Sequence, residues 1–348
     1  MRLEIFEPDF SNRHRVSHTI AVQLSEYYND VGKISITVPA DNYNAGIFKV
    51  NSIVYNVDRG TSYIIKNVEI NSAENRITAN GFSTNILINQ RVDRYSMVVL
   101  TNVERDCYRI INDNLRGMSI TTAPLKGLSA TGCDSIYGQE LLNGLMPILE
   151  KAGYGNRMNL DPTSFAYEFE IYQGENLTKE TKGEKAVIFS DVRGSAQELI
   201  INTDNSLFKN VIYISGKFND QYVTETVGDV DALPDNRYEG YIEASINPND
   251  GETEQQFRNR LKELARDEIK KCAERQSFDV LINPEQLGVK YNLGDIVTCH
   301  SARFGIQFDK RIIGVKYTLD QNGSKTKCIL GEPPIRPDIN KLITRRMR

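Results

Sequence analysis

Apolar and polar residues alternate with a period of two along most of the first ninety positions. In Arg2 to Phe6, Leu3 and Ile5 share a face; in Thr19 to Tyr27, Ile20, Val22 and Leu24 do. Ile34, Ile36 and Val38 share one in Lys33 to Val38, and Pro39 ends the run. Phe48 to Val57, interrupted at Asn51-Ser52, then Ser62 to Ile70 and Arg76 to Asn80 complete a count of six. Period two places alternate side chains on opposite faces of a strand, and short strands at such spacing predict a small barrel or sandwich.

The period then changes. Thr101-Asn102-Val103-Glu104 has the spacing of a capping box opening a helix to about Arg116, with Cys107, Ile110, Ile111 and Leu115 on one face. A second helix is predicted over Gly138 to Ala152, with Leu141, Leu145, Ile148, Leu149 and Ala152 as its apolar stripe and Gly153 as its stop. Pro147 removes a backbone donor inside it and predicts a kink near Asn143-Gly144. Phe165 to Tyr172 alternates again, with Phe165, Tyr167, Phe169 and Ile171 inward and Glu168 and Glu170 toward solvent. Leu177 to Lys185 reads as a polar loop; Glu198 to Asn202 and Asn210 to Ser215 read as strands. Phe218 to Asp250 is acidic and turn-rich, an extended excursion. Thr253-Glu254-Gln255-Gln256 caps the strongest helix, with Phe257, Leu261, Leu264, Ala265, Ile269 and Cys272 on its apolar side. Its opposite face holds Arg258, Glu263, Arg266, Lys270 and Glu274.

Tyr291 to Gly331 predicts three further strands: Ile296 to Cys299, a run through Ile306 and Arg311 to Leu319, and Lys325 to Leu330 returning from an Asn322-Gly323 turn. An earlier stretch echoes it. Setting Ile64-Ile65 on Ile312-Ile313 brings Val68 close to Val315, and each strand leads through an Asn-bearing turn into a short strand ending at Gly81 or Gly331. Two copies of one β-unit near the two ends of the chain are predicted.

The run Tyr291-x-Leu293-Gly294-Asp295-Ile296-Val297, the step Gly305-Ile306-x-x-Asp309-x-Arg311-Ile312 and the terminal Gly331 resemble the end of the hub domain in siphophage and prophage tail-tip proteins, the prophage endopeptidase tail type. Arg76 to Arg94 and Phe208 to Gly216 resemble two other segments of that family. The resemblance implies an α+β, β-rich fold similar to the baseplate hub of contractile-tailed phages. In it, two similar small β-barrel-like domains join an α+β domain and an additional helical segment. The implied boundaries are 1–94 for the first hub domain, 95–206 for the α+β domain, 207–217 with 277–333 for the second hub domain, 218–276 for an inserted loop and helix, and 334–348 for a basic tail. It also implies a homotrimer in the virion tail, assembled in the host cytoplasm, that meets tail-tube, distal-tail and tail-tip or fibre proteins. Two β-units in each of three chains make six similar positions, which fits a threefold ring to a sixfold tube.

Composition adds exclusions. A net charge of −4 over 348 residues gives no general basic field for nucleic acid. No apolar run long enough for a signal peptide core or membrane span occurs. The five cysteines have no paired spacing, which points to reduced, mostly buried thiols and away from zinc or a disulfide framework. His14 and His18 fall in a polar loop and read as surface residues. Cys299 and His300 are adjacent on a predicted strand and point to opposite faces, so they form no nucleophile–base pair. Cys133-Asp134 has no sequence-near histidine. No catalytic, cofactor-binding or metal-ligating residue is assigned, no cofactor is expected, and the chain reads as structural. Two rival readings remain: a tail-borne peptidoglycan hydrolase using Cys133 or the Glu168 strand, and a tyrosine-rich carbohydrate-binding module.

Overall fold

The computed structural model describes residues 1–94, 97–99, 101–132, 134–190, 196–272, 275–282 and 284–331. Expectations for Cys133, Glu274 and the tail 334–348 lie outside these residues. The fold is α+β and β-rich, and the chain divides into Met1–Ile200 with Phe278–Gly331 as one unit and Ile201–Ser277 as a second.

In the first unit the predicted N-terminal strands form as Leu3–Phe6, Ala21–Tyr27, Lys33–Pro39, Ile53–Asn56, Thr61–Asn71 and Arg76–Ser83. Of the faces expected there, Leu3, Ile5, Val22, Leu24, Ile34, Ile36 and Val38 are buried in the core, joined by Ile65 and Ile77. Ile20, expected on a face with Val22 and Leu24, stands before the strand and is exposed. Sequence reading missed the edge strand Arg13–Arg15 and the helix Asn42–Ile47, which Asp41 caps through its side chain on the Asn44 N–H.

The late hairpin joins this same sheet. Ile306–Asp320 pairs antiparallel with Ala21–Tyr27 on one side and Gly323–Gly331 on the other. Arg76–Ser83 pairs with Lys33–Pro39, and Thr61–Asn71 lies beyond it. The two hairpins predicted to echo one another therefore flank the central Ala21–Tyr27 and Lys33–Pro39 pair, one on each side. Each carries a register shift, between Ile65 and Asn67 and between Ile312 and Gly314. Tyr317 and Leu319 pack onto the N-terminal core.

The α+β portion holds helices Val103–Asn114 and Leu141–Ala152 and a sheet of Gly155–Leu160, Tyr167–Tyr172 and the parallel strand Ile120–Thr122. Gly153 ends the second helix in the left-handed region at φ 73°, as its position predicts, and Pro147 lies inside that helix. The first helix is capped differently from expectation. Asn102, not Thr101, is the N-cap, and its side chain accepts the Arg105 N–H at 2.8 Å. Glu104 turns inward and accepts the N–H groups of Lys126 and Leu128 at 2.6 and 2.9 Å. A carboxylate anchored by two loop amides is worth more buried there than reaching back to an exposed helix start.

In the second unit, Val211–Phe218 pairs antiparallel with Gln221–Gly228 and parallel with Glu239–Glu243. The acidic excursion thus contributes two strands, and the described pairs of Val211–Phe218 lie inside it rather than with 277–333. Helix Glu254–Lys271 buries Phe257, Leu261 and Ala265 against Ile212, Ile214 and Val223. Its capping box forms as predicted: the Thr253 side chain accepts the Gln256 N–H, and the Gln256 side chain accepts the Thr253 N–H at 2.9 Å. Leu264, expected on the apolar side, is exposed.

Candidate functional site

The residues considered for chemistry do not come together as a catalytic set. Cys299 is fully buried on the strand Ile296–Ser301, and burial with the neighbouring Asp309 pushes its thiol up to about 12. Cys328 is likewise raised to about 12, chiefly by burial. A thiol so held is protonated at neutral pH and is a poor nucleophile. Cys107, Cys272, Cys299 and Cys328, the four described cysteines, form no disulfide with one another. His18 is exposed, whereas His14 sits half-buried on the strand Arg13–Arg15 with its Nε2 3.6 Å from the Glu7 carboxylate. Among the described residues no group of three or more His, Cys, Asp or Glu side chains is placed to hold a metal ion.

The carboxylate strand differs from its expected alternation. The strand begins at Tyr167, and Phe165 stands before it at φ 57° with its ring stacked on Phe10 at 4.8 Å. Glu170, expected on the solvent side, is buried with Phe169 and Ile171. It accepts from Arg157 Nε at 2.5 Å and Asn159 Nδ2 at 2.9 Å, and pairs with the Lys126 ammonium. Burial raises its pKa, but the hydrogen bonds from Arg157, Lys126 and Asn159 outweigh that and bring it down to about 2. A carboxylate held ionised by three donors is a structural anchor, not a proton carrier.

What the fold does assemble is a joint around Tyr28. The Tyr28 backbone donates to the Ile313 carbonyl at 3.0 Å and accepts from Asn156 N–H at 2.8 Å. Its hydroxyl lies 2.9 Å from the Gly153 carbonyl and 3.2 Å from that of Tyr172, and accepts the Gly174 N–H at 3.2 Å. The Arg311 guanidinium sits 4.9 Å from the ring centroid and also donates to the Gly294 carbonyl. Two glycines let backbone lie against the ring: a Cβ at Gly155 would fall 2.4 Å from it, and one at Gly294 2.3 Å. One tyrosine therefore ties the first β-unit, the end of the second helix, the 155–172 hairpin and the 291–320 segment.

Beside it runs a chain of buried amides. Asn85 donates to Asn156 at 2.8 Å, Asn156 to Asn29 at 2.9 Å, and Asn29 to the Met146 carbonyl at 2.8 Å. Asp295, in the motif that carried the family resemblance, accepts the Glu175 and Asn292 N–H groups, both at 2.7 Å. A cavity of about 290 Å³ opens alongside, lined by residues that include Glu26, Arg59, Asn156, Arg157, Tyr172 and Asp295. The sequence resemblance singled out Leu293-Gly294-Asp295 but gave no signal for Tyr28, Gly155 or Asn156, which reach partners far along the chain, Tyr28 to Gly153 and Asn156 to Asn29.

The arrangement joins several sub-structures of the first unit through one side chain. The fold is that of phage and prophage tail proteins. It resembles the tail protein from Neisseria meningitidis MC58 at TM-score 0.61 and 12% identity, covering 95% of this chain and 96% of that one. It resembles the 43 kDa tail protein of prophage MuSo2 from Shewanella oneidensis at TM-score 0.59 and 11% identity, covering 95% and 98%. The prophage tail protein gp18 from Listeria monocytogenes EGD-e aligns at TM-score 0.55 and 14% identity over 99% and 98% of the two chains. Residues 2–332 match the Siphovirus ReqiPepy6 Gp37-like protein family, and the chain belongs to that family. No curated protein matches the sequence. No helix among the described residues is long and apolar enough to cross a membrane.

Proposed function

We propose that this chain is a structural hub of a siphophage or prophage tail tip, three copies closing a ring at the end of the tail tube in the virion. The observation that carries the reading is the shared fold with tail proteins over nearly the full length of both chains. The two register-shifted hairpins, Thr61–Ser83 and Ile306–Gly331, support it. They flank one central strand pair, so each chain offers two similar β-units, and three chains offer six to a sixfold tube. The hub domains in this reading are 1–94 and the 277–333 segment, with neighbouring tube, distal-tail and fibre proteins as partners. The Tyr28 joint then keeps those β-units rigid relative to the α+β portion. Imaging of the assembled tail tip tests it: three copies around the tube axis are expected. Six copies, one copy, or a position off the axis would remove the hub assignment.

A further inference from the structure

The sheet of the second unit has one covered face and one bare face. Helix Glu254–Lys271 covers the side bearing Ile212, Ile214, Val223 and Ile242. Alternation puts Tyr213, Tyr222 and Tyr241 on the other side, where Tyr222 is 59% and Tyr241 67% exposed. Their hydroxyls are held in place by Glu239, Glu243 and Ser215 at 3.0, 3.0 and 2.6 Å. The connection 229–238 at one end of this sheet exposes Val230, Leu233 and Tyr238 between Asp229, Asp231 and Asp235. Among the described residues no lysine or arginine comes within ion-pair distance of those three aspartates. Arg237, the nearest in sequence, is engaged with Glu239 and the Val230 carbonyl. Exposed aliphatic and aromatic groups grouped in this way mark a binding surface.

The charge of that surface is matched within the chain. Positions 218–254 hold ten Asp or Glu and one Arg. Glu225, Glu252 and Glu254 pair with Arg258, Arg260 and Lys262 of the helix and Glu239 with Arg237, which leaves Asp229, Asp231 and Asp235 as the acidic cluster of the connection. Positions 334–348 hold five Lys or Arg and one Asp, a net of +4, interleaved with Ile335, Ile339, Leu342, Ile343 and Met347. Both stretches thus mix aliphatic residues with charge, of opposite sign. The face already accepts a cation on an aromatic ring, for the Lys217 ammonium lies 5.1 Å from the Tyr222 centroid. We propose that the basic segment 334–348 docks on this bare face. Its arginines would stand opposite Asp229, Asp231 and Asp235, and its aliphatic residues against Val230, Leu233 and Tyr238. The attraction is between exposed charges and therefore falls with salt.

Hydrogen exchange on the full chain tests this. At low salt, amides of 230–238 are expected to exchange about threefold or more faster in an Arg345→Glu, Arg346→Glu, Arg348→Glu variant than in the parent. Adding Asp229→Lys, Asp231→Lys and Asp235→Lys to that variant should restore the slow exchange. At about 1 M salt, where the screening length is about 3 Å, the difference should disappear. Protection that rises with protein concentration would assign the docked segment to a neighbouring copy of the same chain. Equal exchange at low salt, failure of the charge swap to rescue, or a difference that survives high salt would each overturn the proposal.

Discussion

At the scale of single residues, the joint rests on atoms that glycine does not have. Gly294 has φ 98°, a region that L side chains avoid, and a Cβ there would meet the Tyr28 ring. Gly294→Ala is therefore expected to lower stability by at least about 2 kcal/mol. Gly46→Ala is the control: it lies in helix Asn42–Ile47 with open space around its Cα, and should be neutral or stabilising. Thermal unfolding of the two variants checks the pair, and similar losses in both would count against the joint. Glu170 gives a pH signature. Its folded pKa of about 2 is below the ordinary 4.5, so it adds stability that is fully present above about 4.5 and is lost as pH falls toward 2. The contribution is about 1–3 kcal/mol, since Arg157 and Lys126 are half exposed and screened. Glu170→Gln should melt lower at pH 7, with the gap closing below about pH 4.5; a gap unchanged across that range would refute the assignment.

At the scale of elements, the two capping motifs differ in outcome for a physical reason. Thr253 and Gln256 lie at an exposed helix start with no competing partner, so the local pattern decides. Thr253→Ala should cost about 0.5–2 kcal/mol, read as faster hydrogen exchange of the Gln256 and Phe257 amides with the core amides unchanged. Thr101 and Glu104 have the same spacing, but the loop amides of Lys126 and Leu128 claim the buried Glu104 carboxylate and the cap moves to Asn102. The strands of the first ninety residues were legible because period two and one buried face coincide. Arg13–Arg15 was not, since RHR carries no apolar alternation and forms only by pairing with Leu3–Phe6. Glu170 was misread for the reverse reason: its alternation is intact, but Lys126 and Arg157 arrive from other segments and make burial of a charge stable.

At the scale of the whole molecule, the tail-hub reading predicts a scaffold without hydrolytic activity. Zymography on Gram-positive cell walls should show no clearing band; a band abolished by one substitution would mean that the scaffold also carries an enzyme. The sequence by itself determined the β-rich class, the core faces of the N-terminal strands, the strong helix at Thr253 and the tail-protein resemblance, because these depend on local period, caps and turn residues. It also showed the echo between 61–81 and 310–331. Only the tertiary structure decided that both hairpins join one sheet on either side of Ala21–Pro39, since strand partners are chosen across hundreds of positions. It alone decided that Val211–Phe218 pairs within the acidic excursion, and that Tyr28, Gly155, Gly174 and Gly294 meet. No periodicity encodes a contact between one ring and three distant backbones; it exists only once the chain has closed around it.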